Sequence, residues 1–323
     1  MLKYNYVIIG SDQFYLVGYH DVICLPDVSY HSSLQDGFDS WLSRFLLKCN
    51  FSKKINTFVK NPFSFYVWPR IYPHSFDNNK PICYLFFVDH TILKSSYIDY
   101  IRKAEPSSKC VLYFQDLIKT NSQLDLNYFK SKMDLIISYD QGDSREYNLY
   151  YHPTPMSYVE VEGNPNIEES DVYFCGYAKS RWPIVHECYT RLTQQGIKCD
   201  FNLVNMQDAS LRMDGINYYM KPFSYLENLQ HVVKTKCILE IMQEGADGYT
   251  PRLWESIMYD KHLITNNKSV FRSEFNVPEY IHDISEINEG TIGQWKNSKV
   301  LFKSSIKTKL SPIHLLQFID KLL

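Results

Sequence analysis

Residues 237–267 constrain the fold more than any other part of this chain of 323 residues. The apolar run 237–242 predicts a short buried strand. An acid-rich turn with two glycines follows it, and then Thr250 stands where a helix cap is expected and Pro251 at the first helical position. The run 263–265 predicts the start of another strand. This order of strand, turn, helix and strand is typical of an α/β sheet.

The same stretch has the chemistry of a nucleotide-diphosphate site. A helix N-terminus attracts anions, Arg252 adds donors suited to phosphate oxygens, and Glu255 lies on the same helix face, where a carboxylate suits a ribose diol. Gly245 lets the backbone approach a ligand closely. Lys261 and His262 are expected to close the helix favourably for its dipole. The alternative is an ordinary strand–turn–helix unit with a surface Arg–Glu pair.

Length and composition exclude several classes of protein. The chain fits two domains of about 150 residues, and its apolar fraction of 45% suffices for sizeable cores. A net charge of −2 gives little support to a nucleic-acid partner. The eight cysteines form no Cys-x-x-Cys pair, which favours reduced thiols in a cytoplasmic protein. Residues 1–10 are expected to form a strand and not a signal peptide, and no apolar run is long enough to span a membrane.

Alternating strands and helices in the first half predict a doubly wound parallel sheet. The predicted strands are 6–10, 22–25, 82–88, 110–114 and 135–138, and the predicted helices are 38–47 and 97–104. The continuous apolar run 82–88 is typical of a strand that is covered on both faces. Ligands of such sheets bind beyond the carboxyl ends of the strands. The residues expected at those ends are Asp12, Asp89, His90 and Asp116.

A second α/β pattern follows a segment rich in proline and glutamate. Its predicted elements are the strand 171–175, the turn 176–180, the helix 182–195, the strand 199–204 and a helix that runs through His231. The predicted organisation is an N-terminal domain at 1–155, a linker at 156–170, a C-terminal domain at 171–308 and an amphipathic helix within 309–323.

Residues 43–70 contain no acidic residue and interleave cations with aromatic side chains. Such a surface is suited to peripheral contact with an anionic membrane. The alternative is a solvated basic helix over a core formed by those aromatics. Helical periodicity places one group of apolar residues on a common side, namely Phe38, Trp41, Leu42, Phe45 and Leu46.

The sequence Asp-Gly-Tyr-Thr-Pro-Arg-Leu-Trp-Glu at 247–255 resembles the Glu-x7-Glu motif of GT-B-fold, nucleotide-sugar-dependent glycosyltransferases. The segments 174–181, 196–201 and 237–245 are similar to those of glycosyltransferases from bacterial capsule, O-antigen and lipopolysaccharide gene clusters. The resemblance covers about 171–267, and the N-terminal half is compatible with it. It implies two Rossmann-like domains facing across a cleft, with a C-terminal helix that crosses back to the N-terminal domain.

The resemblance also implies which residues bind the nucleotide-sugar donor. Glu255 matches the ribose-binding glutamate, and Tyr225 lies in the segment expected near the base. The other donor-binding positions that it implies are Gly176, Lys179, Arg181, Gly245, Asp247, Thr250 and Arg252. The motif departs from its usual form because Asp247 replaces the first glutamate and Thr250 the second glycine. Glu244 is therefore a rival for the acid that contacts the sugar.

Catalysis in this fold stabilises the charge that develops on the departing diphosphate, for which fixed cations and helix N–H groups suffice. No metal or other cofactor is expected. An inverting enzyme needs a base for the acceptor hydroxyl, and Asp12 is the first choice and Asp89 the second. His90 and His20 are further options, and either aspartate has the alternative role of a turn or cap residue. Retaining and inverting outcomes both stay open.

The leading hypothesis is a cytoplasmic glycosyltransferase, peripheral on the inner face of the membrane, that acts on a lipid-linked surface glycan. A nucleotide-sugar 2-epimerase of the same fold would bind donor without an acceptor. A non-catalytic nucleotide-binding scaffold is the third hypothesis. The basic, aromatic segment 43–70 favours the transferase over the epimerase. The presence together of Lys179, Arg181, Arg252 and Glu255 argues against the scaffold.

Overall fold

The computed structural model describes residues 2–10, 13–87, 90–93, 95–120, 125–177, 179–243, 245–287 and 298–323. The chain divides into two compact units. The first unit consists of Met1–Pro155 and Pro312–Leu323, and the second unit is Met156–Ser311. In the part of the chain that the structure describes, no helix is long and apolar enough to cross a membrane.

The described strands form one six-stranded sheet in each unit. The strands of the first unit are β1 (Asn5–Ile9), β2 (Val28–His31), β3 (Ile82–Phe87), β4 (Lys109–Phe114), β5 (Leu135–Ser138) and β6 (Tyr150–Tyr151). The strands of the second unit are β7 (Ser170–Tyr177), β8 (Cys199–Val204), β9 (Asn217–Tyr219), β10 (Thr235–Glu240), β11 (His262–Thr265) and β12 (Ile281–Asp283).

The described α-helices alternate with these strands. Those before β7 are α1 (Gln13–Gly18), α2 (His20–Ile23), α3 (Trp41–Phe51), α4 (Lys53–Asn56), α5 (Ser64–Val67), α6 (His90–Leu93), α7 (Tyr97–Ala104), α8 (Leu126–Lys132) and α9 (Gln141–Tyr147). Those after β7 are α10 (Trp182–Gln194), α11 (Tyr225–Lys234), α12 (Pro251–Met258), α13 (Lys268–Phe271), α14 (Ser304–Thr308) and α15 (Ile313–Leu322).

Both sheets are parallel throughout, which confirms the predicted fold class. The strand order is β2-β1-β3-β4-β5-β6 in the first unit and β12-β11-β10-β7-β8-β9 in the second. β3, β4 and β5 are buried along almost their whole length. Their continuous apolar runs are explained by helices on both faces of the sheet, because neither face of such a strand meets water.

The terminal helix α15 returns to the first unit, as predicted. Leu315, Leu316 and Ile319 are fully buried there among the apolar side chains of β1 and β3. The Tyr6 hydroxyl lies 2.9 Å from the carbonyl oxygen of Leu316 and 2.6 Å from the carboxylate of Asp320. The apolar face of the helix and this buried tyrosine together account for the docking.

Two predictions in the first unit are wrong. Residues 22–25 do not form a strand, because Val22 is the buried residue of the short helix α2, and the strand that pairs with β1 is Val28–His31. The helix predicted at 38–47 begins at Trp41, where Ser40 forms a capping box. Of its predicted apolar side, Trp41, Leu42 and Phe45 are exposed, whereas Phe38, which precedes the helix, is buried. Four-residue apolar runs do not distinguish a strand from a helix turn, which explains the first error.

The end of α12 also differs from the prediction. The helix stops at Met258, and Asp260 adopts the left-handed conformation, with φ of 53°. The Lys261 N–H donates to the carbonyl of Ser256 at 2.8 Å, which satisfies one of the last helix carbonyls. Lys261 does not close the helix through its side chain, which instead donates to the carbonyls of Val233 and Thr235. His262 is already the first residue of β11, where it pairs with Cys237 of β10, and its side chain is buried.

We expect His152 to make the first unit less stable in acid. Burial of the imidazole, which packs against Phe318 of α15, lowers the pKa of His152 to about 4. The unfolded chain takes up this proton near pH 6.5 whereas the folded chain does not. The free energy of unfolding should therefore fall by about 3 kcal/mol between pH 6.5 and 4 because of this group alone. Urea unfolding of wild type and His152→Gln across this range measures the difference, and equal pH slopes for the two proteins would contradict the assignment.

Candidate functional site

The candidate site lies at the carboxyl ends of β7 and β10, two neighbouring strands of the second sheet. Arg181 ends a 3-10 turn, Lys179–Arg181, that follows β7. Its guanidinium donates to the carbonyl of Tyr177 at 2.7 Å and to that of Ile241, just after β10, at 2.9 Å. A Cβ at Gly176 would lie 3.4 Å from Arg181 Nη2, an ordinary van der Waals contact, so the glycine lies beside this side chain without being required by it. The cation that follows this glycine in the sequence therefore lies across two strand ends.

The N-terminus of α12 lies at the same edge of the sheet. Thr250 caps the helix as predicted, because its hydroxyl oxygen accepts the N–H of Arg252 at 3.1 Å and Pro251 occupies the first helical position. The Arg252 guanidinium also reaches β7, where it donates to the carbonyl of Cys175 at 3.3 Å. Two guanidiniums thus meet the N-terminus of α12 at one sheet edge, which is an arrangement suited to an anion.

Arg252 and Glu255 are paired with each other. Arg252 Nη1 lies 2.5 Å from Glu255 Oε2, and the Glu255 side chain is 0% exposed. Its other carboxylate oxygen accepts the side-chain N–H of Asn228, on α11, at 3.1 Å. Both residues were predicted to face a ligand, but in this structure the glutamate lies behind the arginine. Binding of a ribose to Glu255 therefore requires a rearrangement of this pair.

The two guanidiniums repel each other electrostatically. Burial lowers the pKa of Arg181, and the positive charge of Arg252 lowers it further. Burial opposes the charge of Arg252 as well, but the Glu255 carboxylate together with Tyr173 and Cys175 outweighs burial and raises the pKa of Arg252. One acid therefore neutralises Arg252, whereas the positive charge of Arg181 is held mainly by neutral carbonyl groups. An anion beside Arg181 would relieve this repulsion.

Glu240 is a functional candidate that the sequence prediction missed. It is the last residue of β10, it is 2% exposed, and its carboxylate accepts the hydroxyls of Thr250 and Thr265. Burial raises the pKa of Glu240, although both hydroxyls and Arg252 act in the opposite direction. Its position beneath the α12 cap couples the cap to the sheet. The signal available in the sequence was an acidic residue at the end of an otherwise apolar strand.

Other predicted donor residues surround the start of α12. Gly245 has a φ of 77°, which a glycine adopts at little cost. The Asp247 carboxylate accepts the hydroxyl of Ser269, on α13, at 2.6 Å, so it stabilises the turn in this structure. Tyr225 is the first residue of α11, and its hydroxyl contacts the sulfur of Met156 at 3.6 Å. Burial and then the Glu255 carboxylate raise the pKa of Tyr225.

The three predicted catalytic acids, Asp12, Asp89 and Glu244, lie outside the described residues. The side chains of Lys179 and His90 are also outside the description. His20 is exposed on α2, and Asp116 is exposed after β4. Across the described ranges, no three His, Cys, Asp or Glu side chains are grouped as metal ligands would be.

We expect Thr250→Val to destabilise the second unit. The substitution removes the cap of α12, worth about 1 kcal/mol, and leaves a buried oxygen of Glu240 without its hydroxyl donor, which costs about 1–3 kcal/mol. Thr250→Ser retains both contacts and should unfold at nearly the wild-type urea concentration. A Thr250→Val protein as stable as wild type would contradict this account of the cap.

No known sequence family and no curated protein sequence matches this chain. Solved structures do match. A structure of the trehalose-6-phosphate synthase OtsA has a TM-score of 0.54 and 9% identity, with 98% of each chain covered. An E. coli structure described as trehalose-6-phosphate bound with UDP-2-fluoro glucose has a TM-score of 0.52, also with 9% identity and 98% of each chain covered. At this identity the likeness shows the fold, which is the GT-B fold.

Proposed function

We propose that this chain is a glycosyltransferase that binds a nucleotide-sugar through its second unit and transfers the sugar to a glycan acceptor. The observation that carries the proposal is the meeting of Arg181, Arg252 and the α12 N-terminus at the carboxyl ends of β7 and β10. This edge is where parallel α/β sheets bind their ligands. The fold is compatible with the same activity, since one structure that it resembles is described as bound with UDP-2-fluoro glucose.

The proposed chemistry is stabilisation of a leaving group. When the glycosidic bond to the diphosphate breaks, negative charge develops on the β-phosphate oxygen, and the two guanidiniums with the helix N–H groups stabilise it. Because these cations belong to the chain itself, we propose that transfer requires no metal ion. Glu255 serves the ribose after the Arg252 side chain turns from the carboxylate to the phosphate. The base candidates remain Asp12 and Asp89, and Glu244 remains the candidate for contact with the sugar.

We propose a lipid-linked glycan of bacterial surface polysaccharide synthesis as the acceptor. Support comes from the resemblance of residues 171–267 to transferases of capsule, O-antigen and lipopolysaccharide clusters. Transfer assays with short glycans on a polyprenyl-type lipid carrier, compared with the same glycans free in solution, test this acceptor class. Faster transfer to the lipid-linked form is expected, and equal rates would remove the support for a lipid-linked acceptor.

The donor site is tested by thermal unfolding with a panel of nucleoside diphosphates and nucleotide-sugars. A ligand at about 100 times its Kd should stabilise the wild type by about 2.7 kcal/mol. The test variant is Arg252→Met combined with Glu255→Leu, because replacing both members of a buried ion pair by apolar side chains leaves no unpaired charge and is often neutral for stability. We expect this variant to fold and to lose the ligand-induced shift.

The matched control is the ion pair of Asp27 and Lys80 in the first unit, whose atoms lie 2.6 Å apart. Asp27→Leu combined with Lys80→Met should keep the full ligand-induced shift. A wild type that no nucleotide stabilises, or a test variant that is still fully stabilised, would refute the donor site. Release of nucleoside diphosphate from the stabilising donor, unchanged by EDTA, then tests transfer without a metal. Binding without any turnover would instead identify a non-catalytic nucleotide-binding protein.

A further inference from the structure

Helix α3 exposes three of its apolar residues and buries two polar ones. Trp41 is 78% exposed, and Leu42 and Phe45 are about half exposed. The side that packs against the first unit consists of Ser43, Leu47 and Asn50. In an ordinary surface helix the apolar stripe faces the core. Leu47 and Phe51 of α3 do pack in the core, so it is the first half of the helix that turns its apolar side chains outward.

Hydrogen bonds at Asn50 hold the helix in this orientation. The Asn50 side-chain oxygen accepts the backbone N–H of Phe63 at 3.1 Å, and its carbonyl accepts the side-chain N–H groups of Asn56 and Asn61 at 2.9 and 3.0 Å. Rotating α3 to bury Trp41 would break these hydrogen bonds, and no other polar groups would replace them. The outward direction of the apolar side is thus built into the fold of this segment.

Neighbouring segments add to the exposed apolar surface. Phe58 is 88% exposed and Val59 57% exposed just after α4, and Phe65 is 80% exposed on α5. Because α3 packs against both α4 and α5, these side chains belong to one small helical subregion. We call this surface the basic–aromatic face; its apolar residues are Trp41, Leu42, Phe45, Phe58, Val59 and Phe65. Such a concentration of exposed aromatics is unusual for a surface that meets only water.

The charged residues within 41–70 have one sign, although the exposed Asp39 lies two residues before Trp41. Exposed cations surround its apolar side chains, and residues 43–70 contain no acid. The cations are Arg44, Lys48, Lys53, Lys54, Lys60 and Arg70. Aromatic and aliphatic side chains flanked by exposed lysines are suited to the boundary of an anionic bilayer, where rings enter the acyl region and cations remain among the headgroups. A face that joined two proteins would instead show fewer lysines, which are depleted at such interfaces.

We propose that the basic–aromatic face binds the surface of an anionic lipid bilayer without crossing it. The proposal rests on the side-chain exposure and charge of residues 41–70 and is independent of the donor site in the other unit. Binding would hold the chain at the membrane where a lipid-linked acceptor is found. The side chains that enter the bilayer are the six apolar residues of the face, and the lysines supply its preference for anionic lipid.

The test is sedimentation of the full chain with lipid vesicles of two compositions. One contains phosphatidylcholine alone, and the other contains about one third phosphatidylglycerol, whose negative surface potential attracts cations. Wild type should bind the anionic vesicles more tightly, and added salt should weaken this binding. Phe58→Ser combined with Phe65→Ser should lower the binding constant at least about tenfold, because each phenyl ring adds buried apolar area. Lys53→Gln combined with Lys54→Gln should lower binding to the anionic vesicles alone.

Both phenylalanines are exposed, so their replacement should leave the fold intact, and circular dichroism checks this. The matched control replaces two exposed apolar residues of the other unit, Met220→Ser with Leu301→Ser, and should bind vesicles as wild type does. Equal binding by the phenylalanine variant and wild type, or no binding of wild type to anionic vesicles, would overturn the proposal. A wild-type dimer that becomes a monomer in the phenylalanine variant would also overturn the proposal, because the face would then join two copies of the chain. The Arg252→Met, Glu255→Leu protein should still bind vesicles, which separates this proposal from the donor site.

Discussion

Replacing Arg252 with alanine should lower the free energy of unfolding of the second unit by about 3–5 kcal/mol, because it leaves the Glu255 carboxylate buried without its ionic partner. Glu255 is fully buried, and only the neutral side chains of Asn228 and Tyr225 among its described contacts would remain beside its charge. Differential scanning calorimetry of the full chain measures the effect, because the two units can unfold in separate transitions. The transition of the second unit should move to a lower temperature while that of the first unit stays in place.

The control for this prediction neutralises the acid as well. Arg252→Ala combined with Glu255→Gln leaves no unpaired charge and retains a polar group for Asn228, so it should recover much of the lost stability. If the double variant is as unstable as Arg252→Ala, the loss comes from packing and not from charge. A ligand-binding defect in the single alanine variant would not by itself identify a phosphate contact, because part of the protein would be unfolded.

Replacing Arg181 with glutamine should lower kcat for sugar transfer by about 10²–10³-fold, the loss typical of removing one preorganised donor from a developing negative charge. Arg181 is favoured for this role over Arg252, because Glu255 neutralises the charge of Arg252 in the unliganded structure. Arg181→Lys should restore part of the activity, since it keeps the charge but loses the bidentate geometry. Steady-state rates with the donor found by thermal unfolding measure both variants.

The matched control is Arg191→Gln, on α10, the helix that follows the Lys179–Arg181 turn. The Arg191 guanidinium also donates to a backbone carbonyl, that of Ile287, but it lies ten residues further along, or about 15 Å of helix. The Arg191→Gln substitution should leave kcat near the wild-type value. A rise in KM with unchanged kcat for Arg181→Gln would mean that Arg181 binds donor and transition state equally. Unchanged kinetics would exclude Arg181 from the site.

The predicted strands and helices agree with the structure where the local sequence determines the element. The run 82–88 is apolar because both faces of β3 are covered, and Thr250 and Pro251 define the start of α12 through capping. The strand predicted at 22–25 was wrong because a few apolar residues are compatible with either a strand or a helix. The strands β6, β9 and β12 at the sheet edges were missed, since two or three residues carry no periodic signal.

The sequence by itself determined the α/β class, the alternation that makes the sheets parallel and the presence of Arg181, Arg252 and Glu255 near strand ends. Each of these follows from short-range patterns that water and the backbone impose locally. Only the tertiary structure decided that Arg252 and Glu255 pair with each other, that Glu240 supports the cap from beneath and that α3 exposes its aromatic side. These outcomes depend on residues far apart in the chain, such as Asn228 for Glu255, Thr265 for Glu240 and Asn61 for Asn50. Burial and hydrogen bonding among such residues are properties of the packed fold, and no local pattern carries them.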